Sequence, residues 1–592
     1  MIHLVGEIFL GAAVGLGIGA ILLALGERVR CLLRLPVPPG VRPAVAFAFG
    51  SWLLGVAVLA AGLAGGFRPV PLLLLTGLAA VVGRFRALPY LARQLGNQAI
   101  AALPLLPVAV APPFFYDSWV YHLGLPWQAL QDHALRAHPG DLFSTFPPLA
   151  QLIYAVPLAA GALRAPGLIH LVGYLTGSAA VSSIARRLGA GRSASILAGA
   201  AVLYLPGAML VPALPAAEAW SLSAITASVA LALCGRPARA GAVGPGLAAG
   251  VACAARLQGV SWAILAGLVL AARSFRLAPR ALATFALAVL VGAAPWWVKN
   301  AFLLGDPFAP IGWHRKGVET LWRDAASHMN LATGPADLLS RLAGALSGSG
   351  RLVLPLVLVG LAACLIERRN AKLLVLGTGV ASWVGWSLTG ALDRFLTPTI
   401  ALLLAVVAAS GRRGLGRMFS VATIAAVLGW GIWNATTMWS AIGGLSVAGE
   451  APAVYAATVI SDPSPAFRAC ASLSPDARLL LVCEPRGFLL PRPFDTTSQH
   501  DPCVLAAMLE RTAPATDAID ELRRLGFTHL LVNSRELNRL GPNYPVLPWS
   551  SAEGRDRFIE LTQLLGKPVV MEDDVVVYAL GDPVHKRKRR GP

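Results

Sequence analysis

Runs of about twenty apolar residues recur from Leu10 to about Trp439, and short clusters of arginine separate them. This alternation limits the fold more than any other feature of the chain. A helix of about 20 apolar residues crosses a bilayer, and arginines collect in the loops that stay in the cytoplasm. The 592 residues are 56% hydrophobic and 13% charged, against about 25% charged in soluble globular domains. The reading is an α-helical polytopic membrane protein. The net charge of +19 does not indicate nucleic acid, because the arginines lie between apolar runs. Met1 to Leu25 lacks a basic leader and reads as a first membrane helix, not a cleavable signal.

Apolar runs fall near residues 4–26, 44–66, 69–83, 97–112, 165–185, 193–213, 216–234, 281–298, 352–366, 373–390, 394–410 and 418–438. Residues 243–272 are too long for one span, and Arg256 and Gln258 interrupt them. Two short helices meeting near Arg256 are expected, since helices break at membrane depth where they line a cavity. The count is about 14 transmembrane helices with the N-terminus outside. It puts Arg28, Arg30, Arg34 and Arg42 on the inner side with Arg84, Arg86 and Arg93, and with Arg186, Arg187 and Arg192. Arg236 and Arg239 follow, then Arg273, Arg276 and Arg280, then Arg368, Arg369 and Lys372, and last Arg412, Arg413 and Arg417. Residues 147–163 are also apolar, but a crossing there would place Arg186 and Arg187 outside. They are expected to be re-entrant or interfacial.

Residues 1–440 thus form the membrane domain, with large outer loops at 113–148 and 299–351. Residues 450–584 form a soluble, extracytoplasmic α/β domain, and 585–592 a disordered basic tail. In the soluble part "ARLLLVCE", "THLLVNS" and "DVVVYAL" read as strands, and "ATDAIDELRRLG" as a helix ending at Gly526. It carries no phosphate-binding glycine motif and no nucleophile elbow, and is assigned no catalytic role. Cys31, Cys234, Cys253 and Cys364 read as small apolar fillers. Cys470, Cys483 and Cys503 match no zinc spacing and leave one disulfide open.

The first outer loop begins "PPFFYDSWVYHLGLP", residues 112–126. Trp119, Leu123, Trp127, Leu130 and Ala134 recur at helical spacing, which predicts an amphipathic helix lying in the interface. Asp117 suits either an interfacial helix cap or a general base at the mouth of a membrane cavity. His122 is an interfacial histidine or a group that orients an acceptor or phosphate. Glu218, in "VPALPAAEAWSLS", is an intramembrane carboxylate and a functional candidate by its cost alone. Glu7 is as isolated but more easily solvated. Arg256, Lys299 and Arg394 run against the positive-inside pattern. They suit an anionic lipid phosphate, with snorkelling as the alternative for Lys299 and Arg394 and pairing with Asp393 a further one for Arg394.

In this order the residues resemble the GT-C superfamily of polytopic glycosyltransferases, especially bacterial protein mannosyltransferases and aminoarabinose transferases. The likeness lies in "FFYDSWVYHL", "FPPLAQLIYAVPL", "AAEAW", "GLAAGVACAARLQGV", "PWWVKNAFLLGDPFAP" and "DRFLTP", and spans most of residues 99–410. It implies a multi-pass enzyme of the inner (plasma) membrane, working in the cell envelope. Such an enzyme moves a sugar from a polyprenyl-phosphate-linked donor to a hydroxyl on a protein, lipid or glycan outside the cytoplasm. Asp117 would be the catalytic base, and Arg256 and Arg394 would hold the lipid phosphate with Lys299 a weaker match. Related sequences more often carry Asp at the Glu218 position and Lys at the Arg256 position. The stretch 112–126 that opens the first loop shows one acidic residue where some relatives show a pair, which weakens the case for a divalent metal. One displacement with one base predicts inversion at the sugar. A transporter or flippase of lipid-linked glycans, or an enzyme like an O-antigen ligase or polymerase, is the competing assignment. A structural or sensory protein would tolerate loss of Asp117 and Arg256.

Overall fold

The computed structural model describes residues 2–581 except 139, 206–209, 235–238, 274–277, 311–334, 345, 347–349, 368–369, 388–391, 411–413, 445–462, 502, 512–513, 545 and 550. The basic tail, most of the second large loop and Arg236, Arg276, Arg368, Arg369, Arg412 and Arg413 lie outside the described residues.

Among the described residues, five helices are long and apolar enough to cross a membrane: His3–Leu32, Pro39–Leu63, Ala165–Leu188, Pro279–Leu304 and Gly416–Ala441. A sixth candidate is the pair Pro69–Gly83 and Phe85–Ala109, bent by 61°. Residues 69–83 and 97–112, read from hydropathy as two crossings, are both parts of this pair. Its bend is at Arg84, which has a left-handed φ of 49°. Leu149–Ala159, Arg192–Val202, Glu218–Cys234, Gly241–Ala255, Gly259–Arg273 and Gly350–Leu365 are apolar but shorter. The architecture is multi-pass. Hydropathy does not separate lipid-facing helices from protein-facing ones. Glu218–Cys234 has 17 residues and is buried at every position through Ala232. It rises only about 26 Å, short of the roughly 30 Å hydrocarbon core.

The expected break lies between Arg239–Ala255 and Gly259–Arg273. The first of these packs against Ala278–Leu304 with backbones in contact, since a Cβ on Gly250 would stand 2.3 Å from the Val289 carbonyl oxygen. Residues 149–159 form an 11-residue helix, about 16 Å long and too short to cross. Leu149 to Leu158 are all buried, so protein encloses this piece and it does not rest along an interface.

The C-terminal domain is built on a five-stranded sheet of order β2-β1-β3-β5-β4. The strands are β1 (Leu479–Val482), β2 (Phe494–Asp495), β3 (His529–Asn533), β4 (Val570–Glu572) and β5 (Val575–Ala579). β1 pairs in parallel with β2 and β3, and β5 is antiparallel to β3 and β4. The three strands legible in sequence are β1, β3 and β5; β2 and β4 are too short to leave a pattern. The predicted helix runs Ala515–Arg524, and Gly526 takes a left-handed φ of 87° just beyond it. Alternate residues of β1 and β3 feed two cores, Leu480, Val482 and Leu530 on one face and Leu479, Leu481 and Leu531 on the other. Cys470, Cys483 and Cys503 are buried and stand as free thiols.

This domain sits on the first large loop, which corrects the reading of an interfacial helix there. Trp119, Leu123, Gln128, Leu130 and Asp132 are buried. Trp127 Nε1 donates to the Leu490 carbonyl at 2.8 Å, and Gln128 Nε2 to that of Phe494 at 2.9 Å. Phe488 stands edge-on to both Trp119 and Trp127, at 5.6 and 5.7 Å. Periodicity marks an apolar face without saying whether lipid or protein covers it.

Two carboxyls join the same interface. Asp501 Oδ2 accepts from the Leu142 amide at 2.7 Å, and Asp141 Oδ1 from that of Phe143 at 2.9 Å. Burial, aided by the Asp501 charge, pushes Asp141 up to about 7, and burial pushes Asp501 up to about 6. Unfolded, both would titrate near 4. The folded protein therefore holds these protons more tightly. The stability they contribute is full below about pH 4 and is lost as pH rises through the range 6 to 7. The thermal midpoint should fall between about pH 5 and pH 8, and Asp141→Asn should flatten that fall by several degrees. Parallel midpoint–pH curves for the two proteins would refute the assignment.

Candidate active site

The segment from Pro113 to His122 is a knot tied by its own backbone. Trp119 Nε1 donates to the Pro113 carbonyl at 2.7 Å, and the Ser118 amide to that of Phe115 at 2.9 Å. Ser118–His122 is a single π-helical turn, closed by the Leu123 amide on the Ser118 carbonyl at 2.8 Å. Such one-residue insertions occur often at functional sites. This turn aims Tyr121 back at Asp117, the hydroxyl donating to Oδ2 at 3.0 Å. Burial and the Asp117 charge push the phenol well above its usual range, so it remains a donor. Tyr121 is itself stacked on Phe143 at 4.3 Å.

Glu218 opens the helix Glu218–Cys234, where the helix dipole favours a carboxylate. The chain leading to it is held from three directions. Tyr154 Oη donates to the Ala216 carbonyl at 2.8 Å and accepts from its amide at 3.1 Å. His170 Nε2 accepts from the Ala219 amide at 3.1 Å, leaving Nδ1 to donate to the Pro212 carbonyl at 3.2 Å. Ser118 Oγ donates to the Pro215 carbonyl, joining the Asp117 segment to the Glu218 segment.

Arg256 sits in the helix break. A Cβ on Gly259 would fall 2.3 Å from the Ala252 carbonyl carbon, so this turn needs glycine to fold back so closely. Arg394 lies in the 3-10 turn Asp393–Leu396 that precedes the helix Thr397–Ala408. Arg394 Nη2 donates to Asp117 Oδ2, and its Nε lies 3.2 Å from Glu218 Oε1. Arg256 Nη1 donates to the same Glu218 Oε1. Phe395 packs under the Arg256 guanidinium at 4.0 Å, and Phe115 under that of Arg394 at 5.1 Å.

Asp117, Arg394, Glu218 and Arg256 therefore form one chain of alternating charge with a formal sum of zero. Their side chains are 16, 19, 5 and 13% exposed. Four elements far apart in sequence meet to make it. Its two carboxylates are already engaged by guanidinium groups, an arrangement that offers cations to an anion. His122 lies close by, buried, with Nδ1 lacking a partner among the described residues. Burial, more than Glu218 opposes it, holds its imidazole well below the usual histidine range, so it is neutral.

Lys299 stands apart from this chain. Its ammonium donates to the carbonyls of Ser144 and Phe146, the latter at 2.9 Å. Asn300 Nδ2 and Trp296 Nε1 reach the neighbouring Thr145 carbonyl at 2.8 and 3.2 Å. The end of this helix thus clamps the backbone of the first large loop. Glu7 pairs with Arg164 at 3.4 Å. Tyr121, Tyr154 and His170 were not identified from sequence, where an aromatic residue in an apolar run carries no signal of its distant partner.

No protein-family model matches the chain, and no curated protein matches it. Solved structures do. ArnT from Cupriavidus metallidurans bound to undecaprenyl phosphate is 18% identical, with a TM-score of 0.52 over 84% of this chain and 100% of that one. The same protein in the apo state gives 17% and 0.51, over 84% and 99%. The archaeal oligosaccharyltransferase AglB from Archaeoglobus fulgidus gives 13% and 0.45, over 74% and 69%. The chain has the fold of the GT-C membrane glycosyltransferases. The sequence resemblance is borne out at that level.

Removing one partner of a buried ion pair strands the other and costs about 3–5 kcal/mol. Glu218→Gln and Arg256→Met should each lower the thermal midpoint by several degrees. The double variant should lose less than the sum, with a coupling of about 1–3 kcal/mol. Strict additivity would show that the pair does not act in the folded protein.

Proposed function

We propose that this protein is a glycosyltransferase that takes a sugar from a polyprenyl-phosphate carrier and transfers it, with inversion, to an acceptor hydroxyl on the extracytoplasmic face. The observation that carries the proposal is the juxtaposition of Asp117 with the paired guanidinium groups of Arg394 and Arg256. The fold shared with a protein crystallised with undecaprenyl phosphate supports a lipid phosphate as the anion.

The donor's phosphate would enter beside Arg394 and Arg256 and take over the hydrogen bond that Arg394 now makes to Asp117, while Glu218 stays between the two arginines. Guanidinium forks suit phosphate oxygens in pairs. As the bond from the anomeric carbon to the phosphate oxygen breaks, negative charge grows on that oxygen, and fixed cations there stabilise the transition state more than the ground state. Asp117, freed from Arg394, takes the proton of the incoming hydroxyl as its oxygen bonds to the anomeric carbon. Tyr121 holds the carboxylate in place, and Glu218 keeps the two arginines at a fixed spacing. His122, neutral and with a free ring nitrogen among the described residues, is suited to a sugar or acceptor hydroxyl. Lys299, bound to backbone carbonyls, shapes the loop and leaves the phosphate to the arginines.

The placement of the site also supports an outward orientation. The first helix carries Glu27, with Arg30 and Arg42, near one end, and Glu7, with Arg164, at the other. Arg164 also donates to the Val110 carbonyl, at the approach to the Asp117 segment. The arginine-rich end, which the positive-inside rule assigns to the cytoplasm, is the far one.

The test uses full-length protein in nanodiscs, a panel of undecaprenyl-phosphate-linked pentoses and hexoses, and hydroxyl acceptors of protein, lipid and glycan type. Asp117→Asn should reduce turnover by about 10²–10⁴-fold, and Arg394→Met should weaken inhibition by added undecaprenyl phosphate. Wild-type turnover by Asp117→Asn would remove the base assignment. Passage of lipid-linked sugar across liposomes without any transfer would establish the transporter instead.

A further inference from the structure

The residue before Asp117 is held by the other domain. Tyr116 Oη donates to Glu536 Oε1 at 3.0 Å, across 420 positions of sequence. Its ring lies between two guanidinium groups, Arg539 at 4.8 Å and Arg486 at 5.7 Å from the centroid. Arg539 Nε donates to Glu536 Oε2 at 2.8 Å. Arg486 makes a two-pronged contact with Glu484, 2.7 Å on each arm, and lies 3.5 Å from Glu536. Asn533 closes the ring. Its Nδ2 donates to Glu484 at 2.6 Å, and its Oδ1 accepts from the Glu536 amide at 3.0 Å. The side chains of Glu484, Arg486 and Glu536 are no more than 2% exposed.

These residues follow the carboxyl ends of the parallel strands β1 and β3. In open α/β sheets that is the crevice where ligands bind. Here the occupant is a tyrosine of the chain's own membrane domain. Such a ring of buried, mutually paired charges is expensive to leave unfilled, so Tyr116 is fixed rather than merely touched. Asp117 then lies between two anchors one residue away on either side: Tyr116 tied to Glu536, and Ser118 tied to the Pro215 carbonyl ahead of Glu218.

We infer that Tyr116 is a positioning residue and that its socket in the C-terminal domain sets where the Asp117 carboxylate stands relative to the arginine pair. This rests on the transferase reading for its catalytic consequence, but the position itself can be measured separately. An error of about 1 Å in a reacting group costs about 10²-fold in rate. The soluble domain would thus be part of the catalytic apparatus without contributing a group that touches substrate.

The experiment compares full-length wild type, Tyr116→Phe, Arg539→Lys and Asp117→Asn in nanodiscs. Tyr116→Phe removes a single oxygen, and Arg539→Lys keeps the charge while losing the planar contact. The first readout is amide hydrogen exchange over residues 113–122, with the thermal midpoint as control. The second is turnover of the same undecaprenyl-phosphate-linked sugars. We expect exchange in that segment to quicken about fivefold or more at an unchanged midpoint, since one hydrogen bond to a charged group is lost. We expect kcat to drop about tenfold or more while KM for the lipid donor holds. Exchange and kcat both at the wild-type level would overturn the inference. So would a fall in activity that only follows loss of folded protein, which is what an inter-domain adhesive would give. Wild-type turnover by Asp117→Asn would remove the base assignment instead, and absence of transfer by every protein including wild type would sink the transferase reading; the exchange rates would still decide whether the socket holds the loop.

Discussion

An ionised side chain in a low-dielectric interior must find an opposite charge, because the cost of stripping its water is several kcal/mol. Asp117, Arg394, Glu218 and Arg256 meet that demand in series, and the path of the chain follows from it. Each stands where a helix starts, stops or changes pitch: before a π turn, at a first residue, in a break and in a 3-10 turn. Interrupted helices leave room and unsatisfied backbone groups that a regular span lacks. The surrounding apolar packing, down to the close backbone approaches at Gly250 and Gly259, holds the interruptions in register.

Much of this was legible from sequence because charge in an apolar run is costly and therefore conspicuous. Asp117, Glu218, Arg256 and Arg394 stood out on that ground, and the structure brings them together. Lys299 stood out on the same ground yet lies elsewhere. A lysine can be satisfied by backbone carbonyls, and nothing in composition distinguishes a phosphate from the carbonyls of Ser144 and Phe146. Tyr116, Tyr121 and His170 left no trace, since their partners lie from four to 420 positions away.

The fold was legible in the same uneven way. The break at Arg256 and the strands β1, β3 and β5 follow local patterns of interruption and alternation. What covers an apolar helix does not, because lipid and protein interior ask for the same side chains. The helix at residues 124–132 shows this at short range: its apolar face was plain, and what covers it is the C-terminal domain instead of headgroups. That docking makes the first large loop a layer between two domains, fixed from above at Glu536, Asp495 and Asp501 and from below at Pro215 and Lys299.

The distance along the chain between Tyr116 and Glu536 also has a meaning in time. A ribosome adding about 5–20 residues per second needs about 20–80 s to make the 420 residues that separate them. Throughout that interval the membrane helices can assemble while the Asp117 segment lacks its upper partner. The residues around Glu536, made 420 positions after Tyr116, are those that complete it. A chain cut short between Arg394 and Glu536 would therefore carry every charge of the cluster and still lack the socket that holds Tyr116.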